Sequence, residues 1–168
     1  EHGILDDECV DLMLEKNAYY VPTICQTQDL ETILESGLPQ FMVDKALSVK
    51  EIHLEGFKKA YKAGVKIACG SDSPPLSQFT HLELKHLKIA GMSTVDTLKS
   101  GTTIPAELCG VSNTFGKIEE NYIADIIVLE DNPLNNLNTV FDPTMVFKHG
   151  IKFDEQYGLA SFEDIYIN

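Results

Sequence analysis

The sequence contains no arginine, so its 13 basic residues are all lysines, and 26 aspartates and glutamates outnumber them. The formal net charge of −13 argues against a nucleic-acid partner, which needs a basic patch that often depends on the forked guanidinium of arginine. The same charge argues against docking on anionic lipid. We therefore expect neither nucleic acid nor a membrane surface as a partner.

Long hydrophobic runs are also absent, because no stretch reaches the length that crosses a bilayer, and no signal peptide is recognisable. The chain opens at Glu1 without an initiator methionine, which suggests a segment of something longer. The four cysteines, Cys9, Cys25, Cys69 and Cys109, form no C-x-x-C pair. This pattern favours free thiols in a reducing compartment, and hence a cytoplasmic location.

What is present is enough for one ordinary domain with a sizeable core, since 43% of the 168 residues are hydrophobic. Three stretches are each followed by a helical pattern. The first, Glu1–Leu5, is predicted as the tail of a strand and the loop after it, and the other two, Tyr19–Thr23 and Lys66–Cys69, are predicted as short buried strands. Alternating strands and helices predict repeated βα units and a parallel sheet.

Helix boundaries are indicated by capping residues, glycines and prolines. The first two predicted helices are one capped by Asp6 and one over Asp29–Leu38. A longer helix ends at Gly64, and its predicted inward face is Val49, Ile52, Gly56, Phe57, Ala60 and Tyr61. Three more helices follow: one over Phe79–Ala90, one capped by Ser93, and one that is capped by Thr103, tolerates Pro105 and ends at Gly110.

The pattern changes near Phe115, where the helical signals stop. Ile126–Leu129 predicts a strand, and Thr144–Phe153 predicts a hairpin that turns at His149 and Gly150. We therefore expect residues 1–114 to form a partial βα domain, and residues 115–168 to form a small β subdomain with a C-terminal tail.

Asp72 is the first candidate for a functional residue, because it follows directly after a predicted buried strand in the segment GSDSPP. In α/β folds the chemistry lies at the carboxyl ends of the strands, outside the core. The alternative is that Asp72 makes an Asx-turn, which is common for aspartate before Ser-Pro. The residues alone leave both interpretations open.

His2 is the second candidate, because it lies at the end of the first predicted strand. A histidine and an aspartate at neighbouring strand ends could bind one divalent metal such as zinc, and Asp72 could accept a proton from a metal-bound water. His53 and His86 are predicted on solvated helix faces. His149 is predicted in a turn and is left out of the site.

A succession of short motifs resembles the metal-dependent amidohydrolases, closest to the imidazolonepropionase and prolidase-like branch. The motifs run nearly the whole length of the chain: EHG at residues 1–3, VPT at 21–23, GSDS at 70–73, GMS at 91–93, PAELCG at 105–110, GKIE at 116–119 and ADIIVL at 124–129. Their order is more specific than any one of them.

The resemblance implies the C-terminal portion of a (βα)₈ TIM barrel, about three βα units, together with a small β-sandwich subdomain. It implies hydrolysis of a carbon–nitrogen bond in an amide, cyclic amide or dipeptide-like small molecule, at one or two divalent metals, zinc being expected. His2 and Asp72 map to metal ligands, and Asp72 also handles the proton of the attacking water. Thr23, Ser73 and His81 map to the substrate pocket.

The sequence also departs from the family pattern. The H-x-H pair, the fourth-strand lysine and the fifth-strand histidine are missing, so the chain alone is expected to be inactive. It is expected to form a homo-oligomer or to associate with the missing N-terminal half, because an open βα array exposes its edges. Two alternatives remain: a non-catalytic fragment, and a receiver-like binding module with Asp72 at its strand end.

Overall fold

The computed structural model describes residues 3–29, 34, 37, 39–72 and 80–153. In chain order its elements are helix α1 (Asp7–Glu15), strand β1 (Tyr19–Tyr20), helix α2 (Cys25–Gln28), helix α3 (Gln40–Ala63), strand β2 (Lys66–Ile67), helices α4 (Thr80–Ile89), α5 (Thr94–Ser100) and α6 (Thr103–Leu108), strand β3 (Ile126–Val128), a 3-10 helix (Leu137–Phe141), and strands β4 (Met145–Lys148) and β5 (Ile151–Lys152). The chain is therefore an α/β protein, as predicted.

Strands β1 and β2 pair in parallel, with Tyr19 opposite Lys66 and Tyr20 opposite Ile67. The amide of Ala68 extends this pairing by donating to the carbonyl of Tyr20 at 2.9 Å. Parallel strands require a crossover connection, which here contains α2 and α3. The predicted parallel arrangement of these two stretches is confirmed.

Both strands are shorter than predicted, for separate reasons. After Tyr20, Pro22 has no amide hydrogen to donate, and Thr23 has a φ of 49°, outside the extended region. After Ala68, the amide of Cys69 turns to the carbonyl of Ser100 at 2.8 Å. The two strand ends therefore become loops early, and these loops carry the candidate site.

Glu1–Leu5 was predicted as the tail of a strand and the loop after it, and residues 3–5 lie in no strand, in agreement with the predicted loop. The loop is held by the Tyr20 hydroxyl, which donates to the carbonyl of Gly3 at 3.0 Å. It also packs closely on Gly56 of α3, where an added β-carbon would lie 3.0 Å from the amide nitrogen of Leu5. The first two residues of the prediction lie outside the described residues.

The core lies between the β1–β2 pair and the helices around it. Its buried members are Val10, Tyr20, Ile24, Phe57, Ala60, Val65, Ile67, Leu87, Ala90 and Met92. Phe57, Ala60, Leu87 and Ala90 were predicted to face inward, and they do. Burying side chains of this size stabilises the fold by roughly 1.5–3 kcal/mol for each large residue.

The inward face of α3 differs from the prediction at one position. Ile52 is 56% exposed, and His53 is buried in its place. Buried Gly56, Phe57 and Ala60 follow His53 at the i+3, i+4 and i+7 positions, which is the period of a single helical face. α3 also begins at Gln40, earlier than its apolar pattern indicates. Of the predicted helix over 29–38, Asp29 ends α2 and most of the rest lies outside the described residues.

Three helix ends test the capping predictions. Asp6 Oδ1 accepts a hydrogen bond from the amide of Cys9 at 2.8 Å, and Ser93 Oγ accepts one from the amide of Asp96 at 3.1 Å, so both predicted N-caps are confirmed. The third prediction is wrong by one residue, because Thr102 rather than Thr103 precedes α6. Its hydroxyl donates to the carbonyl of Leu98 instead of capping the helix.

Strands β3, β4 and β5 form an antiparallel sheet in that order. The hairpin between β4 and β5 turns at His149 and Gly150, with φ values of 52° and 78°, as a two-residue turn of this kind requires. Asp125 stabilises the turn by accepting the amide hydrogen of His149 at 2.8 Å. The predicted hairpin is confirmed.

The β-sandwich remains a prediction, because the described residues contain one three-stranded antiparallel sheet and not a second layer facing it. The boundary between residues 1–114 and 115–168 also stays a prediction. Within the described ranges, no helix combines the length and the apolar character that a membrane span needs. The cytoplasmic location remains an expectation from the sequence.

Candidate active site

Asp72 lies in the loop that follows β2, and its side chain is exposed. The loop reaches this position through Gly70, where an added β-carbon would lie only 2.6 Å from Val21 Cγ1. Glycine at position 70 therefore lets the loop after β2 lie directly against the loop after β1. Ser71, the residue between Gly70 and Asp72, is buried.

Thr23 lies in the loop after β1 and is completely buried. Its Oγ1 atom has no hydrogen-bond partner in the part of the chain that the structure describes. Its φ of 49° is unusual for a β-branched residue, and Asp72 in the neighbouring loop has a φ of 48°. Such backbone conformations cost about 1–3 kcal/mol each and cluster at functional sites.

A side-chain hydrogen bond connects these two loops. Gln26 Nε2, on α2, donates to the carbonyl oxygen of Ser71 at 3.0 Å. Because Ser71 directly precedes Asp72, this bond fixes the backbone that carries the candidate catalytic carboxylate. Neither Gln26 nor Ser71 was a candidate from the sequence, since the bond joins residues 45 positions apart.

Glu83 of α4 is fully buried, and both of its carboxylate oxygens accept backbone hydrogen bonds. Oε1 accepts from the amide of Ile24 and Oε2 from the amide of Cys25, each at 2.9 Å. Sequence reasoning missed this residue. The available signal was its spacing, because Glu83, Leu87 and Ala90 follow the i, i+4, i+7 pattern of an inward helix face.

The surroundings of Glu83 keep nearby acidic groups protonated. Burial raises the pKa of the Cys25 thiol, and the charge of Glu83 raises it further. The same two causes raise the pKa of Cys69 to about 12, and raise the pKa of the Tyr20 hydroxyl. Because a thiol acts as a nucleophile only when ionised, Cys25 and Cys69 are poor nucleophiles at neutral pH.

Two histidines pack against the same short helix, contrary to the prediction that both face solvent. His53 is 2% exposed, and its Nδ1 lies 2.8 Å from Thr27 Oγ1. His86 is 9% exposed, and its Nε2 lies 3.1 Å from Asp29 Oδ2. The prediction is wrong because α3 and α4 both pack against α2, which covers the helix faces that carry these rings.

The other predicted site residues are less closely tied to Asp72. His81 is exposed, and its ring contacts that of Phe141 with the centroids 5.5 Å apart. His2 and Ser73 lie outside the described residues, so their assignments stay predictions. The structure brings together the loops of Thr23 and Asp72, through Val21, Gly70 and Gln26.

The fit of a metal can be tested on the donor groups present. Asp72 offers a carboxylate at a strand end, which is an ordinary ligand type for Zn²⁺. In the described ranges, however, no three or more histidines, cysteines, aspartates or glutamates group together to hold an ion. The described part of the chain therefore does not form a metal centre by itself.

Comparison with known proteins places this geometry in a family context. The amidohydrolase family model matches residues 1–152. Ochratoxinase from Aspergillus niger is 33% identical over 153 residues, which are 88% of this chain and 32% of the relative.

Two solved structures extend the similarity to the fold. The crystal structure of A. niger ochratoxinase matches with a TM-score of 0.74 and 33% identity, over 90% of this chain and 35% of that one. The crystal structure of a Xaa-Pro dipeptidase with methionine bound in its active site matches with a TM-score of 0.80 and 30% identity, over 91% of this chain and 39% of that one. The chain spans about a third of the length of the curated relative that it matches.

Proposed function

Because the chain belongs to the amidohydrolase family, we propose that it is the C-terminal part of a metal-dependent hydrolase and carries the strand-end aspartate, Asp72. The whole enzyme hydrolyses a carbon–nitrogen bond in a small molecule. The observation that carries this proposal is the exposed carboxylate of Asp72 in the loop after β2, beside the loop after β1 and within the region that the family model matches.

Asp72 is proposed to act as the general base. Its carboxylate accepts a proton from water while the water oxygen forms a bond to the carbonyl carbon of the substrate. The carbon–nitrogen bond then breaks, and the proton passes from Asp72 to the leaving nitrogen. Proton transfer by a positioned carboxylate contributes typically 10²–10⁴-fold to a rate.

A divalent metal, with zinc as the proposed identity, would lower the pKa of the attacking water when bound. Asp72 and His2 are the proposed ligands in this chain. The remaining ligands are proposed to lie in the rest of the enzyme, outside the third of the relative's length that this chain covers. The 168-residue chain alone is therefore proposed to be inactive.

The substrate class is proposed from the relatives, whose names refer to ochratoxin and to Xaa-Pro dipeptides. An amide or dipeptide-like substrate is therefore favoured. Thr23, Ser73 and His81 are proposed to contact it. The Thr23 hydroxyl supports this, because a buried polar atom without a partner in the described residues has hydrogen-bonding capacity left to offer.

A chimera tests the proposal. Residues 1–152 replace the matching segment of A. niger ochratoxinase, and ochratoxin hydrolysis is measured with added Zn²⁺. We expect activity that falls about 10²–10⁴-fold in the Asp72→Asn variant, because the base is lost. Asp131→Asn, which changes an exposed loop aspartate, is the matched control and should leave the activity unchanged. Equal activity in both variants would reject Asp72 as the base.

A further inference from the structure

Glu83 occupies a position where a charged side chain is costly, because it is 0% exposed. Burying a carboxylate is tolerated when hydrogen bonds compensate the lost hydration. Two of the donors to Glu83 are backbone amides, those of Ile24 and Cys25, each at 2.9 Å. The carboxylate therefore acts on the main chain of the loop after β1.

Local capping cannot replace this contact. An N-cap residue normally has an extended backbone, which lets its own side chain reach the free amides of the first turn. Ile24, which precedes α2, has φ −68° and ψ −25°, a helical conformation, and its side chain makes no capping hydrogen bond. The amides at the start of α2 thus take their acceptor from Glu83, 58 and 59 positions away.

The residues on both sides of this contact belong to the candidate site. Thr23, with its strained φ of 49°, directly precedes Ile24. Gln26, one residue beyond Cys25, donates to the carbonyl of Ser71, next to Asp72. The turn that Glu83 holds therefore connects directly to both strand-end loops.

We infer that Glu83 is a positioning residue, whose buried carboxylate holds the Ile24–Cys25 backbone and so fixes Thr23 and, through Gln26, the Ser71–Asp72 segment. This inference rests on the proposed function for its meaning in catalysis. The geometric part stands on its own, because it concerns the placement of the two loops.

Backbone amide exchange measured by NMR on the 168-residue chain tests the inference. In the unmodified chain, the amides of Ile24 and Cys25 should be protected. In Glu83→Gln, the side chain keeps one acceptor but turns an NH₂ group toward the other amide. At least one of the two amides should then exchange about tenfold faster, the effect of one lost hydrogen bond. Glu51→Gln, an exposed change on α3, is the matched control and should alter neither amide.

Chemical shifts separate positioning from a general loss of stability. In Glu83→Gln the amide signals of Thr23 and Asp72 should move, while the slow exchange of the core amides of Phe57 and Leu87 is retained. Gln26→Ala should move the amide signal of Asp72, because it removes the hydrogen bond from Gln26 to the carbonyl of Ser71. The amides of Ile24 and Cys25 should stay protected in this variant, because their bonds to Glu83 remain.

Three results would overturn the inference. They are rapid exchange of the Ile24 and Cys25 amides in the unmodified chain, unchanged exchange in Glu83→Gln, and unchanged Thr23 and Asp72 signals in Glu83→Gln. If Glu83→Gln does not fold, the inference is still tested by amide exchange in the unmodified chain and by the Asp72 signal in Gln26→Ala. Failure of the proposed function appears separately, as ochratoxin hydrolysis by the chimera that does not depend on Asp72.

Discussion

Gly70 and Val21 approach so closely that a β-carbon added at Gly70 would lie 2.6 Å from Val21 Cγ1. This contact brings the loop that carries Asp72 against the loop that carries Thr23. It also explains why the motif GSDS begins with glycine in this chain, because a β-carbon at this position would force either the Val21 side chain or the loop to shift.

Gly70→Ala should lower the free energy of unfolding by about 1–3 kcal/mol, the usual cost of overpacking. Urea denaturation followed by circular dichroism measures the change. Gly101→Ala is the matched control, since the nearest atom to its new β-carbon would be the flexible end of Leu84, at 3.1 Å, so the change should cost less.

The double variant Val21→Ala/Gly70→Ala adds a second check. Relative to Val21→Ala alone, adding Gly70→Ala should lower the free energy of unfolding only slightly, because the methyl group that would clash with the new β-carbon has been removed. If the losses of stability in the two single variants simply add in the double variant, contact with Val21 is not the cause of the Gly70→Ala destabilisation.

The four thiols should divide into two classes. Cys9 and Cys109 are exposed, whereas Cys25 is buried and Cys69 is half-buried with a pKa raised to about 12. Ellman's reagent at neutral pH should therefore label two cysteines in the native chain and all four in guanidinium chloride. Cys9 should react more slowly than Cys109, because its hydrogen bond to Asp6 raises its pKa. Rapid labelling of Cys25 in the native chain would contradict the burial of its thiol.

Metal binding by the chain alone should be weak, because its two proposed ligands leave most of the coordination shell to water. Isothermal titration with Zn²⁺ should give a low affinity that falls further in Asp72→Asn and stays unchanged in Asp131→Asn. A tight, stoichiometric site that disappears in His2→Ala would show that the chain holds more ligands than proposed.

The free energy of unfolding should fall at acidic pH, partly because the carboxylate of Asp96 becomes protonated. Hydrogen bonds from the hydroxyls of Ser93 and then Tyr61 lower the pKa of this carboxyl below its ordinary value of 3.8. A lowered folded pKa means that the contribution is present above 3.8 and is lost as the pH falls through the folded value. Asp96→Asn should therefore cost about 1–2 kcal/mol at neutral pH and progressively less below about pH 4.

Urea midpoints measured across the pH range test this prediction. Asp11→Asn, an exposed aspartate on α1, is the control and should not reproduce the pH dependence. A cost that stays constant down to about pH 2 would mean that the charge of Asp96 is not what matters.

The chain should form a dimer or a larger species at micromolar concentration. Apolar side chains on one face of the β3–β5 sheet are exposed, among them Ile127 at 44%, Ile151 at 60% and Phe153 at 39%. Exposed apolar patches of this kind promote association. The net charge of −13 opposes it, so added salt should strengthen association by screening that repulsion.

Sedimentation equilibrium measures this association. Ile151→Lys should weaken it, whereas Ile52→Lys, an equally exposed position on α3, should not. A cooperative monomer at both low and high salt would contradict the prediction.

The amino-acid sequence by itself determined the features that depend on near neighbours. The N-caps at Asp6 and Ser93, the end of α3 at Gly64 and the turn at His149 each follow from residues within one turn of the chain. The place of Asp72 after a buried strand was equally readable, because a short apolar run followed by glycine and proline marks a strand end. The order of motifs was enough to indicate the family.

Tertiary structure alone decided which polar side chains are buried. Helical periodicity fixes how Ile52 and His53 differ in direction, but only the packing of α2 against α3 determines that the histidine faces inward. Glu83 is the clearest case, because two of the donors to its buried carboxylate are amides that lie 58 and 59 residues earlier. A local pattern cannot contain such a partner, since the cost of burying a carboxylate is offset only once the fold brings its donors within hydrogen-bond distance.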